Sequence, residues 1–140
     1  MDDLKLAKHR LLDRHLSLVV VENSRVLFET DIEGLQGFLH AIERYHDLLS
    51  KAVIADKIMG KAAAFLCAYS NVKAAYAITI SKGGLEVLSK HNILCEFESV
   101  VPTILNSART DRCPFEKLVE KAVSPTQAHL EIVRFCQKSR

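Results

Sequence analysis

Leu4, Ala7, Leu11 and Leu12 recur at helical spacing among charged residues, which predicts an amphipathic first helix over residues 3–15. From Leu16 to Glu22 the pattern becomes apolar and β-branched. Asn23-Ser24-Arg25 then turns the chain into Val26-Leu27-Phe28-Glu29, the signature of a hairpin. Thr30-Asp31-Ile32-Glu33 matches a capping box, and Leu35, Phe38, Leu39, Ile42, His46 and Leu49 follow at a period near 3.6. A second helix is therefore expected to run to about Ser50. Lys51 to Ala55 reads as a buried strand. Asp56-Lys57-Ile58-Met59-Gly60-Lys61 reads as the junction with the Ala-rich helix that follows, Ile58 to Ser70.

Val72 to Ser81 has the composition of a central strand. Gly83 and Gly84 loosen the chain before a short helix carrying Leu85, Val87 and Leu88, with Asn92 as a left-handed cap near its end. Ile93 to Phe97 forms the fifth predicted strand. Residues 98–112 show no period and are expected to be a loop. Pro114 suits the first position of a helix running to about Val123, and Ser124-Pro125-Thr126-Gln127 is a second capping box before the last helix. Strands separated by helices join by right-handed crossovers and so lie parallel. The pattern thus predicts a three-layer α/β/α sandwich with a five-stranded mixed sheet, in which an antiparallel hairpin joins a parallel part.

Composition narrows the class. With 140 residues, 49% of them hydrophobic, residues 1–140 are expected to form a single domain with its own core. No apolar run reaches the roughly 18 residues of a membrane span, and Met1-Asp2-Asp3-Leu4-Lys5 lacks the apolar stretch of a signal peptide. A cytoplasmic protein is expected. A formal net charge of +2, with basic and acidic residues interleaved, does not point to nucleic acid. Cys67, Cys95, Cys113 and Cys136 have no close pairing and read as free thiols, the first two and Cys136 on apolar faces. The six histidines form no i,i+4 ligand pair, and no metal site or cofactor is expected.

Three pieces carry a resemblance: Ala55-Asp56-Lys57-Ile58-Met59-Gly60-Lys61-Ala62-Ala63, Pro102-Thr103-Ile104-Leu105-Asn106, and Arg112-Cys113-Pro114-Phe115-Glu116-Lys117-Leu118-Val119. Together with the order of elements they resemble an uncharacterised prokaryotic family with a cytidine-deaminase-like fold, and the resemblance covers nearly the whole chain. It implies that fold but brings no settled activity. Deaminases of this fold hold zinc through a His-x-Glu or Cys-x-Glu at the second helix and a Pro-Cys-x-x-Cys at the third. Here those positions read Thr30-Asp31-Ile32-Glu33-Gly34-Leu35 and Asp56-Lys57-Ile58-Met59-Gly60-Lys61, without a ligand. His129-Leu130-Glu131 has the first spacing, but it lies in the last helix with no Cys pair after it. A zinc deaminase is not expected.

Candidate chemistry gathers at the expected strand end, where open α/β sheets bind ligands. Asp56 reads either as a general base, or partner of a substrate amine, or as the N-cap of the next helix. Lys57, Gly60 and Lys61 read as an anion site at a helix start, or as a solvated face. Asn106 and Arg109 lie in the long loop and would complete such a site. Cys113, just before Pro114 and near Arg109 and Arg112, reads as an activated thiol or as an inert cap. Two functions from different classes follow. One is a zinc-independent binding protein or enzyme for an anionic or nucleotide-like small molecule. The other is a catalytically silent module of the same fold that serves assembly or regulation, and in both self-association stays open.

Overall fold

The computed structural model describes residues 2–138. Its elements are α1 (Asp3–Asp13), β1 (Leu18–Glu22), β2 (Arg25–Thr30), α2 (Gln36–Tyr45) ending in a 3-10 segment (His46–Lys51), β3 (Val53–Met59), α3 (Lys61–Ser70), β4 (Ala74–Ser81), α4 (Lys82–Lys90), β5 (Leu94–Val101), α5 (Pro114–Leu118) and α6 (Pro125–Lys138). The five strands form one sheet in the order β2-β1-β3-β4-β5. β1 lies antiparallel to both β2 and β3, while β3, β4 and β5 run parallel. The expected hairpin and parallel crossovers are therefore present. Asn23 and Ser24 turn the hairpin with φ of 51° and 64°, the twist that suits a tight two-residue connection.

Helices cover the two faces unequally. On one face Ala7 and Leu11 of α1 pack on Val19, Val21, Val53, Ala55 and Tyr76. On the other, α2, α3, α4 and α6 close over Leu18, Val20, Ile54, Ala75 and Ala77. Small residues make the second layer tight: Ala62, Ala63, Ala64 and Cys67 of α3 are all buried. Phe38, Leu49, Leu66, Leu88 and Ile132 fill the space that these small residues leave, each such side chain contributing about 1.5–3 kcal/mol by leaving water.

Several boundaries differ from those the sequence predicts. The capping box at Thr30 does not form. Thr30 ends β2, its Oγ1 accepts from the Ile32 amide, and Glu33 turns away to Lys57. The helix starts later, at Gln36, without a side-chain cap. β3 runs on to Met59 instead of stopping at Ala55, because partners are available on both sides. Ser17 O accepts from the Lys57 amide at 3.0 Å, and Ile58 and Met59 stay in register with Thr79 and Ile80 of β4. Pairing outweighs the local preference of Asp for a cap. Gly84 lies inside the first turn of α4, where its amide donates to Ser81 Oγ. β5 takes in residues 98–101, which lack a sequence period because an edge strand has no buried face to impose one. α5 stops at Leu118, short of Val123. At the next helix the capping residues do engage: Ser124 Oγ accepts from the Gln127 amide, and Gln127 Oε1 accepts from the Val123 amide.

Candidate functional site

The carboxyl end of β3 passes directly into α3 through Gly60, and three elements converge there. Gly60 is the N-cap of α3 but supplies no side-chain cap. The cap comes from Glu116 of α5 instead. Its Oε1 accepts from the Lys61 amide at 2.7 Å and its Oε2 from the Ala62 amide at 3.0 Å. Glu116 is only 7% exposed. A β-carbon on Gly60 would lie 2.4–2.7 Å from the Glu116 carboxylate, so glycine is what lets the carboxylate in. The opposite side of the junction is as close. A β-carbon on Gly84 would lie 3.1 Å from the Gly60 carbonyl oxygen.

This arrangement changes the reading of the basic residues. The two α3 amides that would hold an anion already hold one, the protein's own. Lys57 Nζ pairs with Glu33 at 2.8 Å, and Lys61 Nζ donates to the Glu120 carbonyl at 3.1 Å. Arg112 pairs with Glu120 at 3.1 Å, and Lys117 pairs with Asp111. The last two links tie the 102–112 segment to α5 and to the turn that follows it. Asn106 holds that segment from within: its Oδ1 accepts from the Thr110 amide and its Nδ2 donates to Thr110 Oγ1. Arg109 is exposed, with φ of 57°. Cys113 is the N-cap of α5 and makes no side-chain cap bond; its carbonyl accepts from the Glu116 amide at 2.9 Å.

Asp56 lies within β3 and is not an N-cap. Strand alternation places it on the face of Ile54, towards α3, between Leu18 of β1 and Ala77 of β4. The residue keeps some contact with solvent. Burial of its carboxyl nevertheless pushes the pKa up to about 7, and the nearby Ile58 and Lys57 amides pull only weakly the other way. The Ile58 amide donates to Oδ1 at 3.4 Å, a long bond. Cys67 of α3 is close enough to sense it: burial first, and the Asp56 charge second, raise the Cys67 thiol well above its ordinary pKa. Cys95 of β5 is pushed up to about 11, again mainly by burial. A carboxyl poised near neutrality can hold or release a proton, and can accept from a nitrogen donor.

The structure thus joins Gly60, Lys61 and the Cys113 helix through Glu116, and places Asp56 separately, against Cys67. Glu116 stands three positions after Cys113, where a carboxylate suits a cap of its own helix. Its true partner is 55 positions away, and a glycine at a helix start was the only local sign of that approach. Among the described residues, no three His, Cys, Asp or Glu side chains are grouped so as to hold a metal ion, and no helix is long and apolar enough to cross a membrane. A cleft of about 350 Å³ lies elsewhere. It is lined by Asp3, Glu22, Asn23, Ser50, Lys51 and Lys73, at the hairpin-turn end of the sheet.

A family model described as TM1506, domain of unknown function (DUF1893), matches residues 6–136, nearly the whole chain. The chain belongs to the DUF1893 family. A DUF1893 family protein (TM1506) from Thermotoga maritima, solved by crystallography, superposes with a TM-score of 0.87 at 26% sequence identity, over 94% of this chain and 88% of that one. No curated protein matches the chain. Membership of DUF1893 agrees with the uncharacterised family that the three sequence pieces resemble, and carries no activity with it.

Proposed function

We propose that this DUF1893 protein has a cytidine-deaminase-like fold and binds a nucleotide-like small molecule without zinc, through Asp56. The observation that carries this reading is the Asp56 carboxyl itself, within the central strand β3 and three residues before its carboxyl end, with one long hydrogen bond and a pKa pushed up to about 7. Ligands of open α/β sheets bind at such strand ends. A carboxyl of this kind suits the donor edge of an amino-heterocycle or an amine, and in an enzyme it would serve as general base. Lys57, Lys61 and Arg109 stand as partners for an anionic group on the same ligand. Lys57 and Lys61 would first have to leave Glu33 and the Glu120 carbonyl. Cys113, on the helix that bears Glu116, is the second reactive group of the proposal.

The test is a panel of nucleosides, nucleotides and simple amines read by Asp56 itself. Carbon-13 labelling of aspartate follows the carboxyl through its titration, and a bound amino-heterocycle lowers the Asp56 pKa because it stabilises the carboxylate. A panel that moves neither that titration nor the melting temperature overturns the reading.

A second reading has its own observation. The internal pairing of Glu116 with α3, of Lys57 with Glu33 and of Arg112 with Glu120 is what a catalytically silent module of the same fold would show, with a role in assembly or regulation. The same panel separates the two.

A further inference from the structure

β5 forms one edge of the sheet, with β4 as its only neighbour. Its eight residues, Leu-Cys-Glu-Phe-Glu-Ser-Val-Val, contain no lysine, proline or glycine. Folded proteins commonly blunt an exposed edge with charged residues, lysine above all, with proline, with a bulge or with a covering element. The other edge strand, β2, begins with Arg25 and has an irregular register against β1. β5 pairs with β4 in an unshifted register, and its only charged residues are Glu96 and Glu98. Every residue in it except Cys95 and Val101 is exposed, including Leu94 at 66%, Phe97 at 41% and Val100 at 39%.

Charge decides what fits beside it. Leu94, Glu96, Glu98 and Val100 share one face of the strand by alternation. Glu98 accepts from Tyr76 Oη at 2.9 Å and lies 3.8 Å from Lys8 Nζ. No ion pair among the described residues engages Glu96. A second copy fits poorly. Continuing the sheet through a two-fold axis normal to it keeps each face on its own side. The registers of longest overlap then set Glu96 against Glu98, or Glu98 against Glu98, of the other copy. Like charges directly opposite are destabilising.

We propose that β5 is a docking edge for an extended segment of another protein that carries two Lys or Arg residues at alternate positions, flanked by β-branched residues. The partner strand adds to the sheet through its main chain. Its two basic residues lie opposite Glu96 and Glu98, and its apolar residues extend the contacts of Leu94, Phe97 and Val100. This surface is independent of the Asp56 site.

The probe is the fluorescein-labelled peptide Thr-Val-Lys-Val-Arg-Val-Thr, titrated with the intact protein by fluorescence anisotropy while amide hydrogen exchange is followed in Leu94–Val101. Saturable binding with slowed exchange in β5 is expected, weakening as salt is raised. Glu96→Lys, an exposed substitution that leaves the fold in place, should weaken binding about tenfold or more, and Glu96→Gln less. A peptide with glutamate in place of both basic residues should not bind. The proposal is overturned if the basic peptide does not bind, if Glu96→Lys binds it equally well, or if β5 exchange is unchanged on binding. Exchange in β5 that slows with protein concentration alone, together with a dimer in sedimentation, would show that the occupant is a second copy and would also overturn it.

Discussion

The Glu116 carboxylate occupies the space that a side chain on Gly60 would need, and both of its oxygens bind amides of the helix that Gly60 begins. A helix N-terminus attracts negative charge through its free amides and its dipole. Here that attraction holds two distant parts of the chain together.

Glu116→Ala should therefore destabilise the protein by about 2–3 kcal/mol, since it leaves buried amides unsatisfied as well as removing a cap. Gly60→Ala should do similar harm by pushing the carboxylate out. Thermal melts check both. Inorganic phosphate supplies the contrast: it should leave the wild-type melting temperature unchanged and raise that of Glu116→Ala in a concentration-dependent way. An equal rise in the wild type would show that its α3 amides are open to anions after all.

Asp56 predicts a pH dependence of unusual sign. Its folded pKa is raised, to about 7, above the value near 4 of an unfolded aspartate. Between those values the folded state holds a proton that the unfolded state has released. Stability from this group is full below about pH 4, falls as pH rises, and levels off above about 7. The fall is at most about 4 kcal/mol. Asp56→Asn should flatten the profile and stabilise the protein at pH 8, as measured by urea unfolding across that range. A wild-type profile that rises between pH 4 and 7 and is unaltered by Asp56→Asn would refute the assignment.

Cys113 should react with iodoacetamide near neutral pH before Cys67 or Cys95. Burial raises the pKa of both of those thiols and so lowers their thiolate fraction. Cys113 caps a helix at an incompletely buried position. Peptide mapping after limited labelling ranks the three. Faster labelling of Cys67 would contradict the packing of α3.

Removal of metal should change nothing. Dialysis against a chelator is expected to leave the melting temperature and any nucleoside-induced shift intact, because no three His, Cys, Asp or Glu side chains among the described residues are grouped so as to hold a metal ion. A chelator-dependent loss of stability, with zinc found by elemental analysis, would reverse that expectation.

Most of the architecture was legible because it rests on period and turn chemistry. The apolar run at Leu18–Val21, the Asn23-Ser24 turn, the heptad-like spacing of α2 and the left-handed Asn92 are local signals, and each marks the element expected of it. What could not be read is what depends on partners. Asp56-Lys57-Ile58-Met59 looks like a helix entrance until β1 and β4 lie on either side of it. Residues 98–101 look like loop because an exposed edge leaves no alternation in the sequence. The candidate site suffered most, since its defining contact joins positions 61 and 116. A carboxylate that caps another helix has the same local sequence as one that caps its own.

The unequal cover of the two faces bears on how the chain acquires its shape. One layer rests on α1 alone, whose Ala7 and Leu11 belong to a cluster that includes Val53, Ala55, Ala74 and Tyr76. α1 is thus made well before the rest of its seat, which is complete only when β3 and β4, further along the chain, have paired beside β1. Until then its apolar stripe has only Val19 and Val21 of β1 to rest against. Misassembly during synthesis is therefore a hazard for α1, and a substitution such as Leu11→Ala should reduce the yield of soluble protein more than its effect on the folded state alone would explain.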